Sequence, residues 1–93
     1  MPVKIKTSIP GPKSIMLAER RATSVAQGHG TVCNVYIEKA EGSLLIDIDG
    51  NTFIDFAGGI GTMNVGHSHP RILNRTKNQL DKYTHTCFSV APY

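Results

Sequence analysis

The residues best able to do chemistry lie between Asp55 and Pro70, where Gly58, Gly59, Gly61 and Gly66 alternate with Ile60 and Asn64 and lead into His67-x-His69-Pro70. Glycines in such a run let backbone approach a ligand closely and adopt positive φ angles, and Pro70 suits the first turn of a helix. A plainer reading is that they turn the chain sharply between a sheet and a helix. His67 and His69, with His85 and Cys87 further on, are residue types that bind zinc. Their spacing argues against it, because a histidine just ahead of a helix more often hydrogen-bonds free backbone groups there.

Three other constellations fail on their own chemistry. Asp47-x-Asp49-x-Asn51 opens like a calcium loop, but the sixth and twelfth positions, where glycine and a bidentate glutamate belong, hold Thr52 and Gly58. A hairpin turn explains Asp49-Gly50-Asn51, with Asp47, Asp49 and Asp55 as exposed or turn-stabilising groups. Gly59-Ile60-Gly61 starts like a dinucleotide fingerprint, yet Asn64 replaces the third glycine and the preceding strands read as antiparallel. No nucleophile elbow or activated-cysteine signature accompanies the histidines.

The elements that position these residues follow from periodicity. Pro2, Pro10 and Pro12 around Gly11 forbid a helix and predict an extended arm lying on something larger. From about Lys13, with Ser14 as N-cap, Ile15, Ala18, Ala22, Val25 and Ala26 form a helical stripe that Gly28 should end. The period then shortens, predicting strands at Val32 to Glu38, Ser43 to Asp47 and Thr52 to Phe56, an antiparallel meander with turns at Glu41-Gly42-Ser43 and Asp49-Gly50-Asn51. After the Gly-rich loop, Pro70 to about Tyr83 reads as an amphipathic helix carrying Ile72, Leu73, Thr76, Leu80 and Tyr83 on one side, and Thr84 to Tyr93 suits a buried extended segment. The class is α+β.

Composition narrows the function. A chain of 93 residues with 40% hydrophobic and 18% charged residues is globular in character. Its net charge of +3 comes from scattered lysines and arginines without a basic tract, which argues against nucleic acid as a partner. No apolar run is long enough to span a membrane, and no signal peptide is visible. Cys33 and Cys87 stand far apart, as free thiols or small packed hydrophobes, so a soluble cytoplasmic protein is expected.

Taken in order, Ile9-Pro10-Gly11-Pro12-Lys13-Ser14, Arg20-Arg21, Asp47-x-Asp49-Gly50-Asn51-x-Phe53-Ile54-Asp55-Phe56, Gly58-Gly59-Ile60-Gly61, Asn64-x-Gly66-His67-x-His69-Pro70, Gln79-Leu80 and His85-Thr86-Cys87-Phe88 resemble the N-terminal part of the class III pyridoxal-phosphate-dependent aminotransferases. The resemblance covers essentially the whole chain. It implies part of the small domain of a fold-type I enzyme, an arm at residues 1–12 and an incomplete aminotransferase segment at 13–93, with the large cofactor-binding domain absent. It also implies a homodimer using pyridoxal 5'-phosphate to pass an amino group from an ω-amino acid such as 4-aminobutyrate to a 2-oxo acid.

Such chemistry needs a Schiff-base lysine, an acid partner for the pyridinium nitrogen and a phosphate cup. The resemblance puts these later in the chain, matching none to Lys4, Lys6, Lys13, Lys39, Lys77 or Lys82, so no catalytic, cofactor-binding or metal residue is named and the segment alone is expected to be inactive. It implies instead a substrate-pocket wall: Ile60 flanked by Gly59 and Gly61, and Ser89, where bacterial 4-aminobutyrate enzymes carry glutamine. The competing expectations are a non-enzymatic truncated or interaction module and a small zinc protein.

Overall fold

A computed structural model describes residues 3–93, so Met1 and Pro2 of the expected arm lie outside the described residues. The elements run α1 (Pro12–Ser24), β1 (Ile37–Glu41), β2 (Leu44–Asp47), β3 (Thr52–Ile54), the single turn α2 (Gly58–Gly61) and α3 (Pro70–Leu80). The three strands form one antiparallel sheet in sequence order, the expected meander.

The first strand lies further along than periodicity suggested, at Ile37–Glu41 rather than Val32 to Glu38. Its position follows from the tight turn at Gly42-Ser43: Gly42 takes φ 57, Glu41 then faces Leu44, and pairing runs back to Ile37 opposite Asp47 with Glu38 bulged. The second turn joins β2 to β3 through Ile48, Asp49 and Gly50, with Gly50 at φ 83, as its sequence foretold. The third strand ends at Ile54, although Asp55 still donates its backbone N–H to Ser43 at 2.8 Å.

Ser14 is not the N-cap of α1. The helix begins two residues earlier at Pro12, with Gly11 before it and no side-chain cap of its own. Asp49 supplies the cap from across the fold, its Oδ1 accepting from the Lys13 N–H at 2.8 Å and its Oδ2 from the Ser14 N–H at 3.0 Å. A carboxylate there satisfies helix-end donors and opposes the positive end of the helix dipole. Gly11 makes the approach possible, since a Cβ on it would collide with the Asp49 carboxyl group. The helix ends at Ser24, before Gly28: Thr23, Ser24 and Val25 are weak helix formers, and Val25 is already extended at φ −115.

Among the described residues the fully buried side chains are polar: Ser14, Asp47 and Asn51, each with 0% exposure. Asp47 Oδ1 accepts from the N–H groups of Asp49 at 3.0 Å and Asn51 at 2.7 Å, and its Oδ2 accepts from Asn51 Nδ2 at 2.8 Å. Asp47 therefore stabilises the turn from a buried position and Asp49 anchors α1 across the fold, which corrects the exposed reading of both and bears out the turn-stabilising reading for Asp47. Asn51 Oδ1 in turn accepts from Lys6 and Thr7, fastening the N-terminal arm to the chain's own hairpin.

No hydrophobic side chain among the described residues is buried. The radius of gyration is 17.0 Å, against roughly 12 Å for a compact domain of this length. Apolar stripes on α1 and α3 stand open, and the segment after α3 is exposed rather than buried, turning at Cys87, which accepts from Val90 at 2.8 Å. Tyr93 packs edge-on against Tyr83 and Phe88 there. No helix among the described residues is long and apolar enough to cross a membrane.

Candidate substrate-facing turn

The Gly-rich segment forms a left-handed turn. Gly58, Gly59, Ile60 and Gly61 take φ angles of 51, 61, 56 and 70, and the turn closes through Gly61 N–H to Ala57 O at 2.9 Å and Thr62 N–H to Gly58 O at 2.9 Å. Glycine adopts this conformation freely, but Ile60 does not. A β-branched residue there is a genuine outlier, and a residue so held costs about 1–3 kcal/mol. Ile60 also stands 90% exposed at the tip, so no packing within the described residues offsets that strain.

Asp55 and His67 brace the base of the turn. Asp55 Oδ1 accepts from the N–H groups of Ala57 at 3.0 Å and Gly58 at 2.8 Å, while Oδ2 lies 2.6 Å from His67 Nε2. Both side chains are largely enclosed, at 7% exposure for Asp55 and 18% for His67. The His67 hydrogen bond and the Gly58 N–H hold the Asp55 carboxyl below the usual aspartate range; burial opposes them, and the Ala57 N–H and the His67 charge assist. His67 is itself tied to the β1–β2 turn, exchanging backbone hydrogen bonds with Gly42 at 2.8 and 2.9 Å. A cleft of about 220 Å³ opens between the two turns, with Asp55 and His67 in its wall.

Sequence reasoning expected a backbone-bonding role for both histidines, and the structure divides them. His69 caps α3, its Nδ1 accepting from the Arg71 N–H at 3.3 Å, whereas the His67 ring binds a carboxylate. The Asp55–His67 pair went unread because the residues stand twelve apart with no periodicity linking them; the only signal was that they flank the glycine run. Among the described residues no three histidine, cysteine, aspartate or glutamate side chains gather in a way that could hold a metal ion. Cys33 and Cys87 are free and exposed.

Gly59, Ile60 and Gly61 thus share one projecting turn. Ser89 lies on the exposed turn after Cys87, and among the described residues no hydrogen bond joins it to the Gly-rich turn. A pyridoxal phosphate cradle would need a lysine set in a cleft. Lys4, Lys6, Lys13, Lys39, Lys77 and Lys82 are all exposed and dispersed, and none lines the clefts beside α1, α3 or the left-handed turn. The described residues therefore do not fit that cofactor, and no step is assigned to it.

A three-stranded meander, flanking helices and a strained apolar turn form part of a fold-type I aminotransferase domain. Plasmodium falciparum ornithine delta-aminotransferase superposes with a TM-score of 0.72 at 29% identity, over 77% of this chain and 18% of that one. The model of the class-III aminotransferases matches residues 24–93, and the chain belongs to that family. The 4-aminobutyrate aminotransferase of Mycobacterium tuberculosis is 41% identical over 90 residues, covering 97% of this chain and 20% of the relative. The 5-aminovalerate aminotransferase of Pseudomonas aeruginosa is 44% identical over 77 residues, covering 83% of this chain and 18% of the relative. The chain thus spans about one fifth of the length of the curated relatives it matches.

Proposed function

We propose that this chain is the N-terminal segment of a cytoplasmic, homodimeric class III aminotransferase that uses pyridoxal 5'-phosphate to pass the amino group of 4-aminobutyrate to 2-oxoglutarate. The observation that carries the reading is the collinear 41% identity over 90 residues to a 4-aminobutyrate aminotransferase. Similarity to a 5-aminovalerate enzyme supports an ω-amino acid as donor. Residues 3–11 form the described part of the arm, and the chain from α1 onward belongs to the small domain, whose open apolar stripes the rest of the enzyme would cover. Gly59, Ile60, Gly61 and Ser89 line the substrate pocket, with Ile60 a shape-setting apolar contact.

Under this reading the segment alone is inactive, because the Schiff-base lysine and phosphate cup lie elsewhere. The alternative of an independent interaction module is disfavoured by the lack of a buried hydrophobic side chain among the described residues. Neither nucleic acid nor membrane is a partner; scattered charge and two free thiols agree with that and with the cytoplasm.

The test is to read the gene beyond the codon for Tyr93, express whatever follows in frame, and assay glutamate formation from 4-aminobutyrate and 2-oxoglutarate. Turnover by that product, with none by the 93-residue chain, is the expected result. Robust turnover by the 93-residue chain alone, or a longer product without transaminase activity, would overturn the reading.

A further inference from the structure

We infer that Asp55 and His67 are positioning residues: together they clamp the two ends of the 56–66 segment to the β1–β2 turn and thereby set where Ile60 meets an amino-acid substrate. The substrate half of this inference rests on the proposed function above. The geometry of the clamp stands by itself.

The segment between them has the form of a surface loop with adjacent ends, closed by the 2.6 Å contact of His67 Nε2 with Asp55 Oδ2. The other Asp55 oxygen takes the two N–H groups that start the left-handed turn, those of Ala57 and Gly58. Gly58 O then accepts from Thr62 and Met63, so the orientation of the carboxylate passes directly into the turn that carries Ile60. On the far side, the paired backbone bonds of His67 with Gly42, and the Ser68 hydroxyl donating to Ala40 O at 2.7 Å, fix the histidine to the sheet. An exposed β-branched side chain in a left-handed conformation gains nothing from its own packing, so these polar bonds are what hold it. A tip so held can act as a fixed wall, whereas a released one would sample the ordinary right-handed and extended basins.

The experiment compares Asp55→Ala, His67→Ala and His67→Gln, glutamine being able to donate to Asp55 from its side-chain amide. Amide exchange in the full in-frame protein, the form in which the proposed function is assayed, should quicken at Ala57 and Gly58 by about tenfold or more in both alanine variants and recover in His67→Gln. The Lys6 and Thr7 amides, held by Asn51, should stay unchanged and so report the rest of the fold. An unprotected Ala57 or Gly58 in the parent chain, or alanine variants indistinguishable from it, overturns the clamp, as does His67→Gln behaving like His67→Ala.

In the transaminating protein, His67→Ala should raise KM for the amino-acid donor about tenfold with kcat changed by less than about twofold, and His67→Gln should restore KM. A parent protein without transaminase activity defeats the proposed function while the exchange result still decides the clamp. An active parent whose KM is untouched by His67→Ala leaves the function standing and defeats the positioning role.

Discussion

Replacing Asn51 by alanine should release the N-terminal arm from the sheet. Its side chain spends its entire hydrogen-bonding capacity internally. Oδ1 accepts from the N–H groups of Lys6 at 2.6 Å and Thr7 at 3.1 Å, and Nδ2 donates to Thr7 Oγ1 at 2.9 Å and Asp47 Oδ2 at 2.8 Å. With 0% exposure, water cannot take over without the arm lifting. A net hydrogen bond is worth about 1 kcal/mol and a buried group left unpaired costs about 1–3 kcal/mol, so the loss comes to about 3–4 kcal/mol once the freed arm amides reach solvent. At about 1.4 kcal/mol per decade, exchange of the Lys6 and Thr7 amides should accelerate roughly 10²- to 10³-fold. The Lys4 and Thr52 amides, paired across the same arm at 3.2 and 2.8 Å, should follow. Residue-resolved hydrogen exchange reads all four. Acceleration below about threefold, less than one ordinary hydrogen bond, would refute the claim that this polar cluster holds the arm. Asn51→Asp sharpens the test by setting a second carboxylate against Asp47, so like-charge repulsion should release the arm in that variant as well.

Three further outcomes follow from other sites. Gly11→Ala should drive the Asp49 carboxyl group off the start of α1, quickening Lys13 and Ser14 amide exchange about fivefold, as for a lost helix cap. Carbon-13 titration should find both Asp49 and Asp55 ionising below 3.8. For Asp49, burial pulls upward but is outweighed by the Lys13 and Ser14 N–H groups, with the Ser14 hydroxyl and the Lys13 charge adding to them. Because both values are depressed by folding, their stabilisation is complete above pH 3.8 and disappears as the pH falls through the folded values; titration at or above 3.8 would contradict the hydrogen-bonded geometry. Ile60→Asn should relieve part of the roughly 1–3 kcal/mol of strain, since asparagine tolerates the left-handed region, and slow exchange at Gly61 and Thr62 several-fold. Under the proposed function the same change raises KM for the donor, and faster exchange would show that Ile60 is not strained.

Turn chemistry was the most legible part of the sequence. Gly42 and Gly50 sit where the two hairpin turns demand positive φ, and Pro70 opens α3 as expected, whereas Pro12, assigned to the arm, is the first residue of α1. Strand limits were less so, because the register of β1 is set by the Gly42-Ser43 turn and a bulge at Glu38, neither of which leaves a clean alternation at Val32 to Glu38. The loop after α3 misled for another reason: apolar residues there suggest burial, but burial needs a covering surface that these residues do not supply.

What the sequence determined by itself was local or collinear: the α+β order, the turn glycines, the proline that starts α3 and the ordered run of motifs that marks the class III aminotransferases. What tertiary structure decided was every bond between residues far apart in the chain. Asp49 caps a helix 35 positions away, Asn51 holds an arm 45 positions away, and Asp55 meets His67 across the glycine run. Periodicity records which face of an element is apolar, but a carboxylate's partner is chosen by the path of the folded backbone. The left-handed Ile60 belongs with these, since isoleucine's own preferences oppose that conformation and only the glycines and the Asp55–His67 brace around it hold it there.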